Sequence, residues 1–275
     1  MLKVCLATLV LTSTALADPW HVEPSVLIGV ENFDYHEDAG PGLRSAHHGN
    51  QATTRLEVFG TSPNDRWFAR AWFGLTNGTF PFDGTDQQGN PIMAAGDATG
   101  HMTDSELEVG YRRHVFDWLQ LGGYLGFGRR TWDRDLRPIG AGGYREDYAW
   151  WAIPLSAVAD VRLTPQWTAS FEVTLVIPVP GNMRLHLSDF DPSYSDLDVK
   201  LDNRPDPRLR LSARYEIGSD ISLVAEATYE ESRMLQGPGT PLIVNGAMTD
   251  PVLYASEPET HTRRISVLAG ASYQF

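Results

Sequence analysis

Between Leu209 and Ile217 every second residue is apolar: Leu209, Leu211, Ala213, Tyr215 and Ile217 alternate with Arg210, Ser212, Arg214 and Glu216. A period of two puts one oily and one charged face on an extended strand. Ile221 to Glu230 repeats the pattern, and Gly218-Ser219-Asp220 between the two segments predicts a tight hairpin turn. The last residues repeat it once more, with Ile265, Val267, Ala269, Ala271, Tyr273 and Phe275 on one face. Ten such segments are predicted, at about 22–32, 51–60, 66–76, 104–114, 118–130, 147–163, 167–178, 207–217, 221–231 and 261–275. Their lengths suit the roughly 9–11 residues that a tilted strand needs to cross a bilayer.

The connections fall into two classes. Those after the second, fourth, sixth and eighth segments are short (Thr61–Asp65, Val115–Asp117, Thr164–Gln166, Gly218–Asp220), whereas those after the odd-numbered segments are long and polar, as in Asn77–Thr103, Val179–Asp206 and Ser232–Thr260. Short turns at one end and long loops at the other predict an all-β, antiparallel up-and-down transmembrane β-barrel. Ten strands are expected, within a range of 8–12. Met183–Leu187 and Leu197–Leu201 also alternate and are read as strands seven and eight continuing past the membrane, while Pro241–Val244 is a candidate further strand. Trp20, Trp67, Trp118, Trp167 and Phe275 stand at the short-turn ends, and Phe73, Tyr148, Trp150 and Trp151 near the other ends, as two interfacial girdles would require.

Composition first suggests something different. The 275 residues are 42% hydrophobic, carry a formal charge of −13, and contain no uninterrupted apolar run long enough for a membrane-spanning helix. A non-specific nucleic-acid binder is excluded, because it would need a basic face. Alternation reconciles these numbers with a membrane protein, since only every second residue of a barrel strand meets lipid. Lys3, the largely apolar run Val4–Leu11 and Ala15-Leu16-Ala17 form the three parts of a secretory signal peptide, residues 1–17, with cleavage expected after Ala17. Residues 18–275 then form a single barrel domain. The one cysteine, Cys5, departs with the signal, so disulfide and thiolate chemistry are not expected. Loss of Lys3 leaves 21 positive against 35 negative side chains, a charge of −14.

The C-terminal Gly270-Ala271-Ser272-Tyr273-Gln274-Phe275 resembles the assembly signal of Gram-negative outer-membrane β-barrel proteins, with Gly270, Tyr273 and Phe275 in its defining positions. The resemblance implies handling by the barrel assembly machinery, insertion into the bacterial outer membrane, both termini in the periplasm and the long loops outside. It names no subfamily with an assigned function.

Function must be sought inside the barrel and in its loops. The alternation places Arg55, Arg70, Arg112, Arg130, Arg162, Arg208, Arg210, Arg214 and Arg264 in the lumen, with Glu31, Glu57, Glu106, Glu108, Asp160, Glu172, Glu216, Glu226 and Glu230. A sign-selective pore shows an excess of one charge, so nine against nine predicts pairs bridging a narrow lumen. Across the last hairpin Arg208 is expected opposite Glu230, with Arg210 and Arg214 diagonal to Glu226 or Glu230. The leading expectation is a closed scaffold whose extracellular loops bind a ligand or partner. The alternative is a small-solute channel, with Arg208, Arg210 and Arg214 as anion contacts near Glu106, Glu108 and Glu172.

A hydrolase is the third reading. Omptin-type proteases carry acid pairs and an Asp-x-His motif; Asp189-Phe190-Asp191 resembles one acid pair, and His186 beside Asp189 and Asp191, or His101 beside Asp104, are candidate acid–base sets. Scattered loop histidines favour no catalysis. Arg129, Arg130, Arg134, Arg137 and Arg145 are candidate contacts for lipopolysaccharide phosphates. Asp189, Asp191, Asp196 and Asp198 form a candidate cation site without EF-hand spacing, read as a solvated loop. His47-His48 reads as surface loop, and no cofactor is expected.

Overall fold

The computed structural model describes residues 20–40, 43–85, 90–91, 96–140 and 143–275; the expected signal peptide, 1–17, lies outside them. Ten long strands form the wall: β1 (His21–Gly40), β2 (Leu43–Thr61), β3 (Trp67–Phe80), β4 (Ala98–Phe116), β5 (Leu119–Asp135), β6 (Arg145–Arg162), β7 (Trp167–His186), β8 (Asp206–Glu216), β9 (Ile221–Leu235) and β10 (Glu259–Tyr273). Each pairs antiparallel with the next. β9 pairs β10, and β10 pairs β1 from Ser25 opposite Ser272 to Asp38 opposite Glu259, so the sheet closes on itself. The result is a closed ten-stranded up-and-down barrel that leaves no wall edge unpaired.

Period two decides what each face meets. Val26, Ile28, Val30, Leu107, Val109, Leu209, Leu211 and Val267 are exposed on the outside, a continuous apolar belt of the kind lipid covers. Trp20, Trp67, Trp118, Trp167 and Phe275 mark its short-turn margin, and Phe73 and Trp151 the opposite one. Tyr148, expected in that girdle, is instead buried inside the barrel, and Trp150 packs half-buried against the interior cluster. Short turns are held locally; Ser62 Oγ accepts the Trp67 N–H at 2.9 Å and Thr164 Oγ1 accepts that of Trp167 at 3.1 Å.

Beyond the belt the wall continues, and here the expected boundaries move. β1 and β2 stay paired up to Gly40 and Leu43, so the stretch read as the first long loop is strand. Alternation persists there with a polar outer face: Phe33 and Tyr35 point inward, Asn32 and His36 outward. His47 lies on the inner face of this extension, fully buried, and is not a loop residue. β7 likewise runs on to His186, but its expected partner is a separate strand, Leu197–Lys200, laid against Asn182–Leu185. Thr240–Pro241 and Ile243–Val244 form two-residue ladders inside the last loop rather than a wall strand. Asn245 (φ 52°) and Gly246 (φ 76°) make the tip of the second, a turn that requires left-handed backbone.

Candidate functional site: the packed lumen

At belt level the lumen is crossed by ion pairs. Arg208 on β8 reaches Glu106 on β4 through two parallel hydrogen bonds of 2.6 and 2.8 Å. Arg130 on β5 grips Glu230 on β9 with both terminal nitrogens, one bond at 2.8 Å. Arg70 on β3 bonds Glu108 on β4, Glu172 on β7 at 3.1 Å and the Tyr124 hydroxyl oxygen at 2.6 Å. Arg210 joins Glu226 at 2.6 Å and Glu57 on β2 at 3.0 Å, while Arg55 also donates to Glu226. Arg264 on β10 spans Glu31 at 3.0 Å and Asp104 on β4 at 2.8 Å. The pairs β8–β4, β5–β9, β3–β7, β8–β2 and β10–β4 each join strands four places apart around the ring of ten, nearly diametrically opposed. Indole and phenol rings fill the remaining space: the Arg55 guanidinium lies 4.6 Å from the Trp72 ring centre, and that of Arg70 4.8 Å from Tyr124. Such bidentate, ring-backed contacts offset the desolvation that makes isolated buried charges costly.

Most of the predicted lumen residues are therefore together, though with unexpected partners. Arg208 is opposite Glu230 in register, as the hairpin required, yet its side chain leaves Glu230 to Arg130 and takes Glu106. Arg210 meets Glu226 as expected, whereas Arg214 pairs with Glu23 rather than Glu226 or Glu230. Arg162 and Glu216 reach the solvent at the short-turn rim. Below the ionic layer a cavity of about 510 Å³ lies at that end, lined in part by Phe59, Phe68, Arg112, His114, Asp160 and Arg214. Asp104 and Glu23 were missing from the predicted set, although alternation carried inward from Glu106 and from Leu27 assigns both to the lumen.

Above the ionic layer the chemistry changes to an aromatic stopper. Phe33, Tyr35, Phe80, Met102, Trp132, Tyr148, Met183 and Leu185 from six strands pack with Val199, Leu201 and Met234. The Trp132 ring stacks on Tyr148 at 5.0 Å and meets Tyr35 edge-on at 5.1 Å. His47 borders this cluster 5.9 Å from Tyr35; burial and then the nearby Arg134 push its pKa down to about 2, so the ring is neutral.

The rim arginines separate by face. Arg130 and Arg134 point into the lumen, where Arg134 contacts Glu146 at 3.2 Å and Glu37 at 3.4 Å, so neither is aimed at lipid. Their neighbours Arg137 and Arg145 are outside but engaged, Arg137 with Asp135 at 2.7 Å and Arg145 with Asp147 at 3.6 Å. Arg129 remains: it is exposed on the outer wall with its guanidinium 5.5 Å from the ring of Trp151, which stacks on Phe127 at 4.8 Å.

The histidine sets also rearrange. His186 meets Asp147 at 2.7 Å and Asp196 at 3.2 Å, not Asp189 or Asp191. His101 bonds Asn77 on the outer face, while Asp104 faces inward. Asp34-Tyr35-His36 has the Asp-x-His spacing but was absent from the predicted acid–base sets; the Asp34 and His36 side chains touch at 2.9 Å on the outer wall, and Asp34 also accepts from Arg263 at 2.7 Å. Asp198 lies 4.0 Å from Arg184, Asp189 4.0 Å from Arg137, and Asp191 accepts the Ser193 N–H at 2.8 Å. Among the described residues no three His, Cys, Asp or Glu side chains are grouped to hold a metal ion.

No family model and no curated protein matches the chain in sequence. Solved structures do. The outer-membrane protease OmpT from Escherichia coli superposes with a TM-score of 0.68 at 12% identity, over 96% of this chain and 99% of that one. The translocator domain of the autotransporter NalP from Neisseria meningitidis follows at 0.43 and 14% identity, covering 94% and 89%. The toluene transporter TbuX from Ralstonia pickettii gives 0.39 and 9%, covering 94% and 90%. The chain thus has the fold of the outer-membrane β-barrels, a class defined by its closed antiparallel wall and apolar belt.

Proposed function

We propose that this protein sits in the bacterial outer membrane as a closed barrel that anchors its long loops at the cell surface and does not conduct solutes. The reading rests on one observation: the lumen is crossed at belt level by ion pairs between opposed strands and stopped above them by aromatic side chains. In this reading the segment 1–17 directs export, Gly270, Tyr273 and Phe275 present the assembly signal to the barrel assembly machinery, and the termini face the periplasm. The loops after β3, β5, β7 and β9 face outward and carry the binding function. Arg129 supplies a lipopolysaccharide contact, since it lies at the upper belt margin with an aromatic backing and, among the described residues, no carboxylate partner. Reconstitution in planar bilayers tests the central claim. A flat baseline is expected with verified insertion; steady ion-selective current steps would move the assignment to a small-solute channel.

A further inference from the structure

At the outer mouth, three carboxylates gather near one guanidinium, which contacts two of them. Arg134 on β5 contacts Glu146 on β6 and Glu37 on β1, at 3.2 and 3.4 Å. The third, Glu257, comes from the loop between β9 and β10; it is 1% exposed and has no cation within ion-pair distance among the described residues. Its two oxygens lie 3.4 Å from the Tyr148 hydroxyl, which is also 3.1 Å from Glu146. A phenol has one proton to donate, so it satisfies one of these two carboxylates, and a proton on Glu257 would complete the other arm of the bridge while Arg134 holds Glu146. The rest of the surroundings adds little positive charge. Tyr35 and Tyr144 are phenols, His47 is neutral, and Lys200, on the adjacent short strand Leu197–Lys200, faces solvent.

The same loop segment closes the mouth. Ala255 packs on the aromatic stopper, and the Glu257 carbonyl accepts the Gly237 N–H at 3.0 Å, tying the two ends of the loop together. We propose that Glu257 is an acid latch: protonated, it docks the end of this loop into the barrel mouth, and ionised, it releases it.

Burial first, then Glu146 and Glu37, raise the Glu257 pKa well above its ordinary value of 4.5, against the lowering by Arg134 and the Tyr148 hydroxyl. Glu146 is raised for the same leading reason. The sign follows from linkage: a docked state that holds a proton more tightly than the undocked one is most stable in acid. Its docking constant falls about tenfold per pH unit above the ordinary carboxyl range, until the buried group itself ionises. The mouth is therefore shut in acid and loosens as the pH rises.

Hydrogen exchange on the full refolded chain in lipid, corrected for intrinsic exchange at each pH, reads this out through peptides containing Gly237 and residues 254–258. Protection should fall by at least about tenfold between about pH 5 and pH 9. Glu257→Gln, which still accepts from Tyr148 but cannot ionise, should hold protection level over the same range. Glu146→Gln, which removes the repelling neighbour, should make the fall shallower and serves as the test if the first variant does not refold. Level protection in the wild type, or an unchanged fall in either folded variant, overturns the latch.

Discussion

At the scale of single residues, the molecule rests on charges that have left water. Arg208 and Glu106 are both buried and joined by two hydrogen bonds, so truncating one strands the other. Arg208→Ala should cost about 3–5 kcal/mol, the range for breaking a buried pair from one side. Arg208→Met combined with Glu106→Gln should cost less than the single change, because no unpaired charge remains. Urea unfolding of the barrel in vesicles measures both, and a double variant less stable than Arg208→Ala would contradict this account. Arg129 obeys a different rule, since it faces outward and holds nothing inside. Arg129→Ala should leave folding unchanged while weakening lipopolysaccharide binding about ten- to hundredfold, the loss expected for one charge-assisted contact. The matched control is Arg113→Ala, exposed near the short-turn end, and equal affinity in both variants would remove Arg129 from the proposal.

At the scale of elements, the closing seam between β1 and β10 sets the tightest demand. A Cβ on Gly270 would stand 1.8 Å from the Val26 carbonyl oxygen, and one on Gly29 1.9 Å from that of Val267. Both obstacles are backbone, so neither can swing aside. Gly270→Ala should therefore destabilise the closed form, seen as loss of the heat-modifiable folded band at a lower temperature. This is a local reason for the glycine, independent of any part in an assembly signal. The belt makes a complementary prediction: Leu211→Arg on the lipid face should cost about 2–4 kcal/mol in vesicles, whereas Ser212, one residue on, faces the lumen. The strands themselves were legible because period two survives wherever one face meets lipid. The extensions were harder to read, since Asn32, Asp34 and His36 replace the apolar outer residues and mimic a loop. Arg134 was misplaced for the same reason; it looks like part of a charged rim beside Asp133 and Asp135, yet it points inward. Partner choice was legible only within the last hairpin, where Arg210 meets Glu226. Adjacent-strand register puts Arg208 opposite Glu230, but the bond to Glu106 depends on which strands face each other across the closed ring, and no local pattern encodes that.

For the molecule as a whole, the proposed closed barrel makes these layers two seals in series. The aromatic stopper sits above the belt and excludes water by packing; the ionic layer sits within it and fills the bore with paired side chains. Ten strands enclose a lumen near the size that side chains alone can fill, so either seal should suffice. Phe33→Ala with Trp132→Ala hollows out the stopper and leaves every belt-level pair in place. That variant should remain silent in planar bilayers. Adding Arg208→Ala and Glu106→Ala removes one full cross-brace together, without leaving a lone charge, and opens a continuous wet path from the 510 Å³ cavity to the outer mouth. A steady current should then appear, with folding verified by heat-modifiable migration. Current from the stopper variant alone would mean that the ionic layer leaks, and silence from the folded combined variant would mean that the remaining pairs collapse to refill the bore. In either case the two-seal description would fail.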